Sequence, residues 1–271
     1  MIKINKHVLK SGLKKILEFF QVQDNLLNFI RSKKVNIKYN NLNYTLSVPN
    51  KLCKMRADSF STKEPETLNW IDGFPKGSIL WDIGANIGLY SIHAAKSRNS
   101  IVYSFEPSVF NLEVLARNIS LNNVEDLVTI MPFAINDKIG RGNLSMSTSN
   151  WGGALSTFDK TYGMDGEDFK VVFKYPIFSF SMDDLINRLN LSYPDYIKID
   201  VDGIEQLILA GGTNVLRNIK GLLIELPNLW PEQTILCEKF LHDAGLVKIQ
   251  NNDWHPKNNN NGSPNQIWSK I

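Results

Sequence analysis

From Ile79 onward the chain alternates short apolar runs with stretches of helical spacing. 79-ILWDIG-84 reads as a strand, and Leu89, Ile92 and Ala95 follow at helical intervals. The pattern repeats: IVYSFEP, LVTIMPFAI, YIKIDV and GLLIEL are strands. FNLEVLARNISLNN, IEQLILAGGTNVLRN and EQTILCEKFLHDAG are helices between or after them, and LVKIQ and QIWSKI close as an antiparallel pair. Such alternation predicts an α/β sandwich around a mostly parallel sheet. Upstream, residues 35–48 alternate with period two around Asn40-Asn41, a pair that tolerates positive φ, and predict a hairpin. Residues 6–30 predict one or two amphipathic helices through Val8, Leu9, Leu13, Ile16, Leu17 and Phe20. Residues 137–180 break the rhythm, with room for extra strands and a long substrate-binding loop beside the sheet's carboxyl edge.

Charge divides the chain. Residues 1–56 carry a net charge of +10 and the remainder −7. The expected organisation is therefore a basic helix-and-hairpin appendage, 1–56, on a catalytic domain, 57–271. The N-terminal helix either packs on the domain with its lysines in water, or lies on an anionic membrane surface or a partner. The chain of 271 residues, 43% hydrophobic, contains no long uninterrupted apolar run, and its N-terminus lacks the apolar core of a secretory signal. Two cysteines make no disulfide framework, so the expectation is a cytoplasmic protein, peripheral at most to the inner face of a membrane.

Candidate chemistry gathers at the carboxyl ends of the first strands. Gly84 and Gly88 let the backbone turn and approach a ligand closely. Asp82 offers a carboxylate to an ammonium or hydroxyl, and Asn86 offers both a donor and an acceptor. Glu106, 24 residues after Asp82, ends the second strand, where a carboxylate accepts both ribose hydroxyls and repels a 2′-phosphate. The site suits a nucleoside with free ribose hydroxyls and an amino-acid end better than a pyrophosphate.

The pattern D-x-G-A-N-x-G resembles motif I of class I S-adenosylmethionine-dependent methyltransferases. Beyond it, the chain resembles the FkbM family through 64-EPETLNWI-71, 82-DIGANIGLYS-91, 105-FEPSVFNLEVLARNISLNN-123, 134-AINDKIGRGNL-144, 181-SMDDL-185, 197-IKIDVDGIE-205 and 265-NQIWSK-270. One departure is Asp202, where the family more often has Glu. The resemblance implies a Rossmann-like seven-stranded sheet of order 3-2-1-4-5-7-6, strand seven antiparallel. It also implies methyl transfer from S-adenosylmethionine to a hydroxyl of a sugar, glycan or natural product, in the setting of polysaccharide biosynthesis. Asp82, Gly84, Asn86 and Gly88 would surround the methionine part, Glu106 would hold the ribose, and Ala134 with Ile135 or Asn136 would flank adenine. Glu64 and Thr67 would close over the cofactor.

An alcohol acceptor loses a proton, so a carboxylate within hydrogen-bond reach is useful. Asp200 is the first candidate base and Asp202 the second, the alternatives being helix capping and ion pairing. Lys198 would orient the acceptor or tune a carboxylate. Asp200 and Glu225 would share a divalent cation if one is used, although none is expected. Trp151, Tyr162 and Trp230 are either sugar-stacking rings or packing anchors. Two other readings remain. One is a nucleic-acid methyltransferase, against which stands the ending D-V-D-G in place of the N/D-P-P-Y/F of amine-methylating enzymes. The other is a binding module that keeps the fold without transfer.

Overall fold

The computed structural model describes residues 21–226, 229–250 and 265–270. The chain runs through helix α1 (residues 21–32), the hairpin β1 (Lys34–Tyr39) and β2 (Leu42–Ser47), and helices α2 (Lys51–Asp58) and α3 (Pro65–Asp72). Then come β3 (Ile79–Ile83), α4 (Leu89–Arg98), β4 (Ile101–Phe105), α5 (Val109–Leu121) and β5 (Val128–Met131). Residues 134–180 supply β6 (Ala134–Ile135), β7 (Gly140–Met146), β8 (Ser156–Phe158) and β9 (Phe173–Phe180). The last part holds α6 (Met182–Leu189), β10 (Tyr196–Ile199), α7 (Glu205–Ala210), α8 (Thr213–Asn218), β11 (Gly221–Glu225), α9 (Pro231–Asp243), β12 (Val247–Gln250) and β13 (Asn265–Ser269).

The central sheet has the order β12-β13-β11-β10-β3-β4-β5. The strands β11, β10, β3, β4 and β5 are parallel, and β13 is antiparallel to both its neighbours. Counted along the central sheet alone, this is 3-2-1-4-5-7-6 with strand seven reversed, the expected class I methyltransferase topology. The middle strands are buried on both faces, so they read as apolar runs and not as alternations. Along β3, Trp81 and Ile83 pack towards α7–α9 while Leu80 packs towards α3–α5. Asp82 shares the Leu80 face and lies directly opposite Lys198 in the parallel register. The chain leaves β3 and β10 in opposite directions, which opens a crevice between their carboxyl ends.

The hairpin turns at Asn40 and Asn41 with φ of 45° and 63°, the two positive values of a primed turn. Its inward side chains Tyr44, Leu46 and Val48 belong to the same core as Leu68, Ile71, Leu80, Ile92 and Leu115. Asn118 and Asn122 of α5 accept from the backbone N–H groups of Ser47 and Thr45 at 2.7 and 3.1 Å, closing the hairpin's free edge. The boundary expected at residue 56 falls inside α2.

Two runs break where one element was expected. The strand read through 127–135 stops at Pro132, and Ala134–Ile135 joins a second sheet of order β6-β9-β7-β8. Most of that sheet comes from residues 137–180. The helix read through 204–218 divides at Gly211-Gly212, where the chain passes too close to its neighbours for side chains. A Cβ at Gly211 would lie 2.4 Å from the Asn136 carbonyl, and one at Gly212 would lie 2.1 Å from Met182 Cε. Residues 1–20 of the expected N-terminal helices and the loop 251–264 lie outside the described residues. No described helix is long and apolar enough to cross a membrane.

Because Leu46 is 1% exposed within the main core, Leu46→Ala should cost about 2–5 kcal/mol. Urea unfolding of the full chain measures this, and a loss too small to resolve would mean that the hairpin is dispensable to the domain.

Candidate active site

The turn after β3 is a run of left-handed backbone. Gly84, Asn86 and Gly88 have φ of 86°, 50° and 85°. Gly84 has no alternative: a Cβ there would sit 1.9 Å from the Asp200 carbonyl. That close approach brings the β3 and β10 ends together. The Gly84 and Ala85 N–H groups both donate to Phe105 O at 3.0 Å, and the Asn86 N–H donates to Glu106 Oε2 at 2.8 Å. Glu106 Oε1 accepts from Ser108 N–H at 2.7 Å. Burial pushes the Glu106 carboxyl up to about 7 despite these donors.

A buried charge network lies beside the turn. Lys198 is 1% exposed and donates to Asp200 at 2.6 Å, with Tyr90's ring 5.0 Å from its ammonium. Burial opposes its charge, but Asp200, Asp82 and Glu64 outweigh burial and raise its pKa. Burial would likewise raise Asp200. Lys198, a hydrogen bond from Glu225 and Lys63 reverse that and hold Asp200 below the ordinary carboxylate range. Glu225, half-buried and facing Asp200, is pushed well up by desolvation and by the Asp200 charge, so it is the carboxyl of the pair that favours the proton. Lys63 pairs with Glu64 at 2.7 Å, and Thr67 Oγ1, itself fully buried, donates to Glu64 Oε2 at 3.2 Å. Asp82 accepts from Ser91 Oγ at 2.5 Å through Oδ2, while its Oδ1 is buried without a hydrogen-bond partner among the described residues. Asn86 Oδ1 is a second buried acceptor in that condition.

Asp202 points into the loop after β7. Its Oδ2 accepts from the N–H groups of Leu155 and Ser156 at 2.5 and 3.2 Å. Burial and the neighbouring Asp200 charge push its carboxyl up to about 6. The same loop is tied from three other directions. Asn86 Nδ2 and Asn111 Nδ2 donate to Gly153 O at 2.8 and 3.1 Å, and Arg56 Nε donates to Gly152 O at 2.7 Å.

Three recesses meet here. A polar cleft of about 190 Å³ is lined by Arg56, Asn86, Glu106, Asp200, Asp202 and Glu225, among others. A small recess of about 40 Å³ adjoins it, with Lys63, Glu64 and Tyr90 on its wall. A narrow apolar slot of about 30 Å³ opens beside Gly84, between Pro107, Phe133, Ala134, Ile135 and Phe158. Together they set a polar cleft beside an apolar slot, the polarity pattern of a nucleotide-type site.

Most residues expected at the site are brought together: Glu64, Asp82, Gly84, Asn86, Glu106, Ala134, Ile135, Lys198, Asp200, Asp202 and Glu225. Gly88 caps α4 at the end of the turn, and Thr67 stands behind Glu64. Asn136 donates its N–H to Phe180 O, and its buried Oδ1 has no partner, but it does not line the slot. The three aromatic rings take no part in the lining of these recesses. Trp151 Nε1 donates to Glu113 at 2.9 Å, and its ring packs near Cys53, Ile87 and Val114. Tyr162 and Trp230 meet edge to face, 5.2 Å between centroids. Arg56, Lys63, Tyr90 and Asn111 were not singled out by sequence. The only signal for them was two cations in the segment before the first strand. Among the described residues, no group of three or more His, Cys, Asp or Glu is arranged to hold a metal ion.

Residues 82–247, more than half of the chain, match the methyltransferase FkbM domain. The chain belongs to the FkbM methyltransferase family. Its domain is that of an S-adenosylmethionine-dependent methyltransferase. The hexuronic acid methyltransferase AglP of Haloferax volcanii is 25% identical over 148 residues, which span 55% of this chain and 55% of that protein. Among solved structures, the precorrin-6y C5,15-methyltransferase of Geobacter metallireducens covers 77% of this chain and 87% of its own at 16% identity, TM-score 0.45. An rRNA methylase of Streptococcus thermophilus covers 76% and 95% at 10% identity, TM-score 0.45.

One residue of the family-like segment serves the frame. Glu205, 2% exposed, accepts from Gln233 Nε2 at 2.6 Å and tethers α9 to the start of α7. Burial raises its carboxyl from 4.5 to about 8. The folded state thus keeps a proton that the unfolded chain releases above about pH 4.5. The stability tied to that proton is full below this value and is lost as pH rises through about 8. Glu205→Gln should therefore show a smaller fall in Tm between acid and mildly alkaline pH than the wild type. Parallel melting curves would refute the assignment.

Proposed function

We propose that the chain is an S-adenosylmethionine-dependent O-methyltransferase that acts on a hydroxyl of a sugar or glycan. The observation that carries the donor is the pair of buried acceptors without donors, Asp82 Oδ1 and Asn86 Oδ1, beside a glycine turn. A buried acceptor left unpaired is costly, and an ammonium supplies the missing protons. Glu106 suits the ribose hydroxyls, and the Ala134–Ile135 slot suits the flat apolar adenine. Glu64, backed by Thr67, forms part of the wall on the amino-acid side. When bound, S-adenosylmethionine supplies a methyl group activated by its sulfonium.

The chain's own part is to hold the acceptor oxygen and take its proton. Asp200 was the first candidate for that proton, but its ion pair with Lys198 makes it a weak base. It serves better as fixed negative charge facing the cleft, with Lys198 neutralising the interior behind it. Asp202 has the more suitable affinity, near 6, and its Oδ2 bonds to the 155–156 backbone fix its direction. Glu225 hydrogen-bonds to Asp200 and is the more basic carboxyl of the two. The polar, carboxylate-lined cleft supports a hydroxylated acceptor. The sugar class is supported by the likeness to a relative named for a hexuronic acid. Arg56 on the cleft wall provides a cation for an acidic sugar.

Two measurements test this reading. In calorimetric titration, Glu106→Ala should weaken donor binding by roughly 10-fold or more, and wild-type affinity should rise with pH through about 7 as Glu106 ionises. Undiminished affinity would remove the ribose assignment. With labelled donor and a panel of neutral and acidic glycosides, label should enter a sugar, and Asp202→Asn should lose turnover by about 100-fold with donor affinity kept. The wild-type rate should climb through about pH 6, and that limb should vanish in Asp202→Asn. Labelling confined to RNA would overturn the acceptor class, and a pH limb that responds only to Asp200→Asn would overturn the base.

A further inference from the structure

A second pocket stands away from the cleft, towards the carboxyl end of α5. It is an open recess of about 340 Å³ between the end of α1, the start of β1, the end of β2 and α5. Arg31, Lys33, Lys34 and Arg117 line it, and no carboxylate does. Arg117 is paired with Glu113 at 2.9 Å, and Lys33 leans over the Phe29 ring at 5.2 Å. Neither Arg31 nor Lys34 has a carboxylate partner among the described residues. Ser47, opposite Lys34 in the hairpin register and 2% exposed, also lines the pocket. Its hydroxyl is buried with no hydrogen-bond partner among the described residues. Clustered cations with an idle hydroxyl donor make a receptor for a phosphate-like anion.

The helix that ends at this pocket is exposed along nearly its whole length, and one of its faces is apolar. Val22, Leu26 and Phe29, at i, i+4 and i+7, are 65%, 56% and 61% exposed. Chemistry and charge select one occupant for this combination. A second copy related by a two-fold axis would set these cations against themselves. A single-stranded RNA would need rings for stacking, and the pocket lining has none. An anionic bilayer offers phosphates to the pocket and an acyl boundary to the helix. Residues 21–47, which build α1 and the hairpin, carry Arg31, Lys33, Lys34 and Lys38 against Asp24 alone, a bias that favours such a surface.

We propose that α1 and the Arg31–Lys34–Ser47–Arg117 pocket form a docking site for the phosphate headgroups of an anionic membrane. The test is sedimentation of the full chain with vesicles of phosphatidylcholine alone or with about one-third phosphatidylglycerol. The chain should bind only the anionic vesicles and be released by high salt. The double variant Arg31→Glu/Lys34→Glu, and separately Phe29→Asp, should bind roughly tenfold more weakly or worse. Lys174→Glu, an exposed lysine on β9, should bind as the wild type does. Unchanged affinity for S-adenosylmethionine verifies that each variant is folded. Several results would overturn the proposal. They are equal binding to neutral vesicles, equal losses in Lys174→Glu, and vesicle binding that survives both α1 and pocket variants. Binding of inorganic phosphate without any vesicle binding would assign the pocket to a free anion. RNA retention, or a dimer in sedimentation equilibrium lost on Phe29→Asp, would assign the surface to those partners instead.

Discussion

Lys198 is the counter-charge that the carboxyl end of the sheet cannot do without. Asp82, Glu64 and Asp200 converge on it from three different segments, and it is almost wholly shielded from water. Burying several carboxylates together is prohibitive unless some are neutralised. The protein uses two devices at once. Lys198 and Lys63 compensate part of the charge, and Glu225 retains a proton for the rest. Polar side chains then stay aimed into the cleft. Without the buried ammonium, Asp200 and Glu225 would both have to be neutral or exposed, and the crevice between β3 and β10 would lose its electrostatic definition.

Much of this arrangement was legible in the chain. The glycine turn, Glu106 at the end of the second strand and the asparagine hairpin follow from local patterns, whereas the order of the central sheet came from the family resemblance. Gly84 is the sharpest case, because its left-handed φ and the 1.9 Å approach of a would-be Cβ admit no other residue. Other features were hidden because they depend on distance in space. A loop tryptophan such as Trp151 carries no mark of which side it faces, and a partner as remote as Glu113 decided it. Arg56 lies on α2 and Lys63 in the bend before α3, and neither position shows a periodic signal for a ligand. The rank of Asp200 and Asp202 as bases depends on which one meets Lys198, and spacing alone does not report that. The broken strand at Pro132 and the divided helix at Gly211-Gly212 are breaker signals that a longer apolar pattern had overridden.

Residues 1–56 are likewise two things in one stretch. Tyr44 and Leu46 are core, while α1, a few residues earlier, shows its apolar face to solvent. Charge bias grouped them, but burial separates them. The hairpin is fixed to the domain through Asn118 and Asn122 of α5, the same helix whose start carries Ser108 beside Glu106. One rigid rod therefore connects the basic pocket to the catalytic cleft, at a span of about 15–20 Å.

Asn86 carries a consequence of its own. Its amide nitrogen grips the Gly153 carbonyl while its oxygen waits, unpaired, inside the glycine turn. One side chain thus belongs to two compartments. Satisfying the oxygen from within the turn stiffens an amide that also holds the 147–156 loop across the cleft. Under the proposed reading, donor and acceptor would be coupled through this residue, and whatever one gained in affinity from the other's presence, the other would gain in equal measure. The state of the glycine turn and the position of the loop are in this sense joined by a single carboxamide.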